Sequence, residues 1–120
     1  MMESSTFTIE DTISSNVHIL QLHGYLDAST SHILDDAIQS IIQSHEYKIL
    51  IDCAELTYIS SAGLGIFMKH VDAIRSGSGD IVFCSMQKPV FNVFDLLGFP
   101  VLFRICSDQS EGLHSLTHEG

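Results

Sequence analysis

Two adjacent hydroxyls, Ser60 and Ser61, close an apolar run and are followed by Gly63 and Gly65 in the stretch YISSAGLG, residues 58–65. Helical spacing of apolar residues starts at the same place: Leu64, Phe67, Met68, Val71 and Ile74 share one helical face. A glycine inside a helix costs about 1 kcal/mol relative to alanine. One role for the serines is plain capping of that helix, a common use of Ser at an N-terminus. The glycines point to a second role. They let backbone come close to the sheet below or to something outside. A helix start also presents unpaired N–H groups and the positive end of the dipole. A phosphate on a serine there meets several donors. The stretch is therefore suited to hold a phosphoserine, with room for the protein that delivers or senses it.

Catalysis finds less support. The nucleophile elbow GxSxG is absent, because Ile59 and Gly63 flank Ser61 at the two glycine offsets. No His and Asp can be assigned to the serine by spacing. No GxxxxGK[ST] loop occurs either. The chain reads as a substrate of a kinase and not as an enzyme; a hydrolase with Ser61 as nucleophile is the weaker reading. His18, His23, His32, His45, His70, His114 and His118 show no HExxH or other compact ligand spacing. Most read as surface residues, and no metal or cofactor is expected. Cys53, Cys84 and Cys106 are odd in number, lack a CxxC pair and lie in or beside apolar stretches. They read as buried free thiols in a reducing compartment.

The elements that must position the serine pair follow from periodicity. Phe7 and Ile9 alternate with polar residues, SSN at 14–16 makes a turn, and Val17, Ile19, Leu20 and Leu22 continue as a second strand, so the chain opens with a β-hairpin. Ile33, Leu34, Ala37, Ile38, Ile41 and Ile42 then recur at helical spacing, with Ser29 or Thr30 as cap and Asp35 and Asp36 near the start. Tyr47 to Cys53 is nearly continuous in apolar residues, as in a central strand covered on both faces; Tyr58 and Ile59 then bring the chain out of a loop into the second helix. SGSGD at 76–80 ends that helix. IVFCSM is a further strand, KPVFNVFDLLGF a third helix with Val90, Val93, Phe94 and Leu97 on one face, and VLFRIC the last strand. Residues 107–120 read as a short final helix, capped by Ser107 or Asp108, or a tail. Strands alternating with helices after a hairpin imply an α/β fold, with a mostly parallel or mixed sheet of about five strands and about four helices.

Charge narrows the partners. The 120 residues hold 15 Asp and Glu against 5 Lys and Arg, for a net charge of -10. The cations Lys48, Lys69, Arg75, Lys88 and Arg104 are scattered. That speaks against direct nucleic-acid binding, which needs clustered cations, and against an anionic membrane surface. A protein partner with basic surface is accommodated more easily. No apolar run approaches the roughly 20 residues of a spanning helix, and MMESSTFTIEDT lacks the basic start and apolar block of a signal peptide. The chain reads as cytoplasmic, without membrane insertion, and as a single domain over 1–120 with its core in about 6–106.

Taken together, IDCAELTYISSAGLG, LHGYLDASTSHIL upstream and SMQKPVFNVFDLLGF downstream resemble the STAS domain, and more closely the bacterial anti-sigma factor antagonists. The resemblance runs from about Phe7 to Cys106. It implies a partner-switching regulator. The unmodified antagonist binds an anti-sigma factor that is also a serine kinase of the GHKL ATPase type, and a sigma factor is released. Phosphorylation of a serine at the start of the second helix ends the complex, and a PP2C-type phosphatase restores it. By motif, that serine falls on Ser61. In many members an Asp precedes it; Ser60 holds that place here and offers a second candidate acceptor. The family's small and apolar partner-binding positions fall on Gly63, Leu64 and Gly65, and its acidic position between second strand and first helix on Asp27. Asp27 has two readings, a turn-stabilising carboxylate or a group near the serine that belongs to the unphosphorylated, binding state. Asp95, Gly98 and Phe99 match the family's third helix and turn, but helix termination and packing alone account for them and are the stronger reading. Phe91 falls off the core face of that helix. The alternative within the same fold is a non-switching STAS scaffold subunit of a stress-sensing or lipid-transport complex.

Overall fold

In a computed structural model the structure describes residues 7–118. The leader reading of 1–12 rests partly on residues 1–6, and the outer ends of the assigned domain fall on 1–6 and 119–120; these lie outside the described residues.

The hairpin forms as its alternation implies. β1 (Phe7–Ser14) and β2 (Val17–Leu26) pair antiparallel from Phe7↔Gly24 to Ser14↔Val17. Ser15 and Asn16 between them both have positive φ, 52° and 65°. That is the mirror-image two-residue turn whose twist matches a hairpin. The chain continues as α1 (Ser31–Gln43), β3 (Lys48–Ile59), α2 (Ser61–Ser76), β4 (Asp80–Cys84), α3 (Lys88–Leu96), α4 (Phe99–Leu102), β5 (Arg104–Cys106) and α5 (Gln109–Thr117). The sheet order is β1-β2-β3-β4-β5, with every pair after the hairpin parallel.

Alternation along the strands splits the apolar residues between two layers. Leu20, Leu22, Ile49, Ile51, Ile81 and Phe83 join Leu34 and Ile38 of α1, Phe67 and Ile74 of α2, and Val90 and Phe94 of α3 in the main core. Phe83 lies edge-on to Phe67, Phe94 and Phe103, with centroids 4.8, 5.0 and 5.4 Å away. Val17, Ile19, Leu50, Val82, Cys84 and Cys106 face the other way, against Leu113 and Leu116 of α5. Central strands buried on both faces explain the unbroken apolar run in β3.

Several expectations are corrected. β3 does not leave the sheet before Tyr58; it runs to Ile59, paired with Leu26. Two register shifts, each with an extra residue on β3, break its alternation and hid that length. VLFRIC is not one strand: Val101 and Leu102 belong to α4, which makes five helices among the described residues, and only Arg104–Cys106 is strand. Gly98, at φ 78°, turns the chain, and Pro100 suits the first turn of the short helix. Met68, expected in the core, is 44 % exposed, and Leu97 caps α3 half-exposed, as Phe91 is partly exposed. Two histidines expected at the surface are buried. His18 lies between Asp11 and Glu46, and His70 Nε2 meets Asp35 Oδ1 at 2.6 Å. Asp35 is beyond the first turn of α1 and is committed to α2, where Lys69 Nζ also donates to it at 2.7 Å.

Candidate functional site

β2 and β3 end side by side, and the site stands on those two ends. Leu26 and Ile59 are paired and buried, and Ser60 N–H donates to Leu26 C=O at 3.0 Å. This bond fixes where β3 becomes α2. Ser60 is the N-cap residue, with extended backbone, and its C=O accepts from Gly63 and Leu64 N–H. The capping role expected of a serine side chain is not taken up by Ser60. Its Oγ is turned inward, buried and without a hydrogen-bond partner.

Ser61 is the first residue of α2 and is exposed. Among the described residues neither its N–H nor that of Ala62 finds a backbone acceptor, so the helix start keeps donors beside the Ser61 hydroxyl. Among the described residues no histidine or carboxylate hydrogen-bonds that hydroxyl. The two glycines divide the work. A Cβ on Gly63 would stand 2.7 Å from Leu26 Cγ and 3.2 Å from Ile59 Cγ1, so Gly63 is where the helix touches the sheet below. A Cβ on Gly65 would meet nothing within 4 Å; Gly65 keeps the outer surface low beside Ser61. Leu64 is buried and anchors the first turn from inside.

Asp27 follows β2 as Ser60 follows β3. Its Oδ1 accepts from Ser29 N–H at 3.0 Å and from Ser29 Oγ at 2.8 Å. The Ser29 hydroxyl and backbone, with Thr30, hold the Asp27 carboxyl below the usual carboxylate range. Thr30, the N-cap residue of α1, makes no side-chain cap; its Oγ1 donates to Tyr25 C=O and accepts from Asp27 N–H, each at 2.9 Å. The turn-stabilising role of Asp27 is thus filled by its bonds to Ser29 and Thr30. The structure brings Ser60, Ser61, Gly63, Leu64 and Gly65 into one helix start and places Asp27 on the neighbouring strand end.

Other reactive groups lie elsewhere. Cys53, Cys84 and Cys106 are free and buried, and burial pushes all three thiols up, Cys84 to about 12. A cleft of about 340 Å³ lies at the opposite end of β3, lined by Asn16, His45, Lys48 and Ser78 among others. Among the described residues no group of three His, Cys, Asp or Glu is placed to hold a metal, and no helix is long and apolar enough to cross a membrane. Sequence reasoning missed Tyr25 and Tyr58, which pair across β2 and β3 beside the serines and are 54 % and 50 % exposed. Alternation along β2 placed Tyr25 opposite the buried leucines; for Tyr58 the register shifts left no such signal.

Comparison with known proteins bears on this arrangement. The STAS domain family matches residues 8–112. The anti-sigma F factor antagonist of Paenibacillus polymyxa is 30% identical over 102 residues, 84% of this chain and 85% of its own length. An anti-sigma factor antagonist from Mycobacterium paratuberculosis superposes with a TM-score of 0.86 at 17% identity, over 93% of this chain and 95% of that one. SpoIIAA, described as a Bacillus cell fate determinant, matches in its unphosphorylated form with a TM-score of 0.76 at 17% identity, over 90% of this chain and 93% of its own. Its phosphorylated form matches at 0.68 and 17%, over 89% and 96%. At such identities the solved structures speak for the fold alone, and the family match together with the Paenibacillus relative speaks for kinship. The chain belongs to the STAS domain family, and curated relatives that it matches, the Paenibacillus protein among them, are named anti-sigma factor antagonists.

Proposed function

We propose that this protein is an anti-sigma factor antagonist switched by phosphorylation at Ser61. The unphosphorylated form binds an anti-sigma factor that is also a serine kinase of the GHKL type and thereby releases a sigma factor; a PP2C-type phosphatase reverses the modification. The single observation that carries the reading is the contrast between the two serines. Ser61 is exposed on a helix start with N–H donors, under the open surface at Gly65. Ser60, the second candidate, has its Oγ buried. A phosphate adds about -1.5 to -2 charges. A tenfold loss of affinity needs only about 1.4 kcal/mol, so one phosphate suffices to end a complex without refolding the domain. The names of the relatives support an anti-sigma factor as the partner.

Intact-mass and peptide mass spectrometry on protein from its own cells tests the reading, together with binding to the anti-sigma factor. One phosphate on Ser61, tight binding by Ser61→Ala and weak binding by Ser61→Asp are expected. Equal binding by the two variants, with no phosphate under any growth condition, would replace the switch by the scaffold-subunit reading.

A further inference from the structure

The face of the sheet that carries α5 is only half covered. Residues 21, 23 and 25 of β2 lie on that face, because Leu20, Leu22 and Leu26 point into the main core. The cover ends at buried Asp52, whose Oδ2 accepts from Gln109 of α5 at 2.8 Å and from Gln21 at 3.5 Å. Beyond that point the sheet continues, and among the described residues no helix lies over it. His23 pairs with Glu55 and Tyr25 with Tyr58 across the two strands. Both tyrosines and Glu55 are exposed there. Glu10 of β1 borders the same area, its carboxylate 3.7 Å from His23 Nε2 and its side chain 66 % exposed.

We propose that this uncovered face is a docking surface for a protein partner that presents an arginine, held over the Tyr25 and Tyr58 rings and paired with the Glu55 carboxylate. The rings are 6.1 Å apart and tilted by 57°, so neither covers the face of the other. A guanidinium is planar, stacks on aromatic faces and is forked to meet a carboxylate. Tyrosine and arginine are also the side chains that concentrate in protein interfaces. Charge decides against the other occupants. A second copy of this chain would bring another -10 and set Glu55 and Glu10 against their own kind. Nucleic acid is repelled by the same carboxylates. Tyr58 precedes Ser61 by three residues, so about 10 Å of chain separates them, well inside the footprint of one partner of ordinary size. The inference rests on the proposed function only in taking that partner to be the one that reaches Ser61.

The test is an NMR titration of the ¹⁵N-labelled full chain with a blocked Gly-Arg-Gly peptide and with its citrulline counterpart, which keeps the shape and removes the charge. The arginine peptide is expected to shift the amides of His23, Tyr25, Glu55 and Tyr58, and the citrulline peptide to leave them nearly unchanged. Tyr58→Ala and Glu55→Gln, both at exposed positions, should each weaken the response about two- to fivefold. Equal response to citrulline, shifts spread over distant carboxylates such as Asp95 and Glu111, or no effect of either variant would overturn the proposal. So would concentration-dependent broadening of the same amides without peptide, which would assign the face to a second copy. The titration does not involve Ser61. Its failure leaves the phosphorylation reading standing, and a missing Ser61 phosphate with an intact arginine response removes only that reading.

Discussion

Gly63 rests on Leu26: a Cβ at Gly63 would stand 2.7 Å from the Leu26 Cγ, the branch point of a fully buried side chain. The contact holds the start of α2 against the end of β2. Gly63→Ala is therefore expected to lower stability by about 1–3 kcal/mol through overpacking. Gly65→Ala meets no obstacle and is expected to raise it by up to about 1 kcal/mol through helix propensity, while adding bulk beside Ser61 and weakening the partner. Urea unfolding of the two variants separates these effects, and equal midpoints would contradict the division of labour between the glycines.

Ser60 yields a prediction of unusual sign. Were its hydroxyl a cap, Ser60→Ala would cost about 1 kcal/mol. Because the Oγ is buried without a partner, removing it should leave stability unchanged or raise it by up to about 1 kcal/mol. Thermal unfolding decides between the two, and a clear loss would mean that the hydroxyl has a partner in solution.

His18 makes stability depend on pH. Its burial works against the charged ring, but the hydrogen bonds to Glu46 and Asp11 outweigh that and hold its pKa above the ordinary value. A pKa raised in the folded state stabilises fully below the unfolded value of about 6.5 and is lost as pH rises through the folded value. Urea midpoints should therefore fall above neutral pH for the native chain, and His18→Gln should flatten that fall. An unchanged slope in the variant would remove His18 as its source.

Asp35 ties α1 to α2 through Lys69 and the buried His70. Asp35→Ala leaves His70 Nε2 buried and unpaired, which should cost about 1–3 kcal/mol. Lys69→Ala removes only the exposed half of the cluster and should cost less than about 1 kcal/mol. Calorimetry on both variants checks the order, and a reversed order would place the bond strength on the lysine.

Much of this architecture was legible in the chain, for reasons visible at particular residues. The alternation around Phe7 to Leu22 and the helical spacing of Ile33 to Ile42 are local signals, and the elements formed where these lie. Val101 and Leu102 misled because a short apolar run fits strand and helix alike; Gly98 and Pro100 decided for a helix turn. His18 and His70 looked like surface residues because Asp11, Glu46 and Asp35, which pair with them, are separated from them by 7, 28 and 35 positions. The serine motif itself was readable. Which serine turns inward was not, since that depends on the Leu26↔Ile59 register and the Ser60 to Leu26 hydrogen bond, both of which need β2 and β3 already side by side.

The strand order β1-β2-β3-β4-β5 has a consequence for how the chain emerges from the ribosome. Every strand pairs with the one made just before it, so the sheet can extend at one edge as synthesis proceeds, and no later segment has to be inserted between strands already paired. Only α5 arrives out of step. Val17, Leu50 and Val82, laid down earlier, wait for Leu113 and Leu116, which are made only after all five strands, before their face is covered. A nascent chain stalled before residue 109 would hold a paired sheet with one apolar face bare, a natural target for a chaperone.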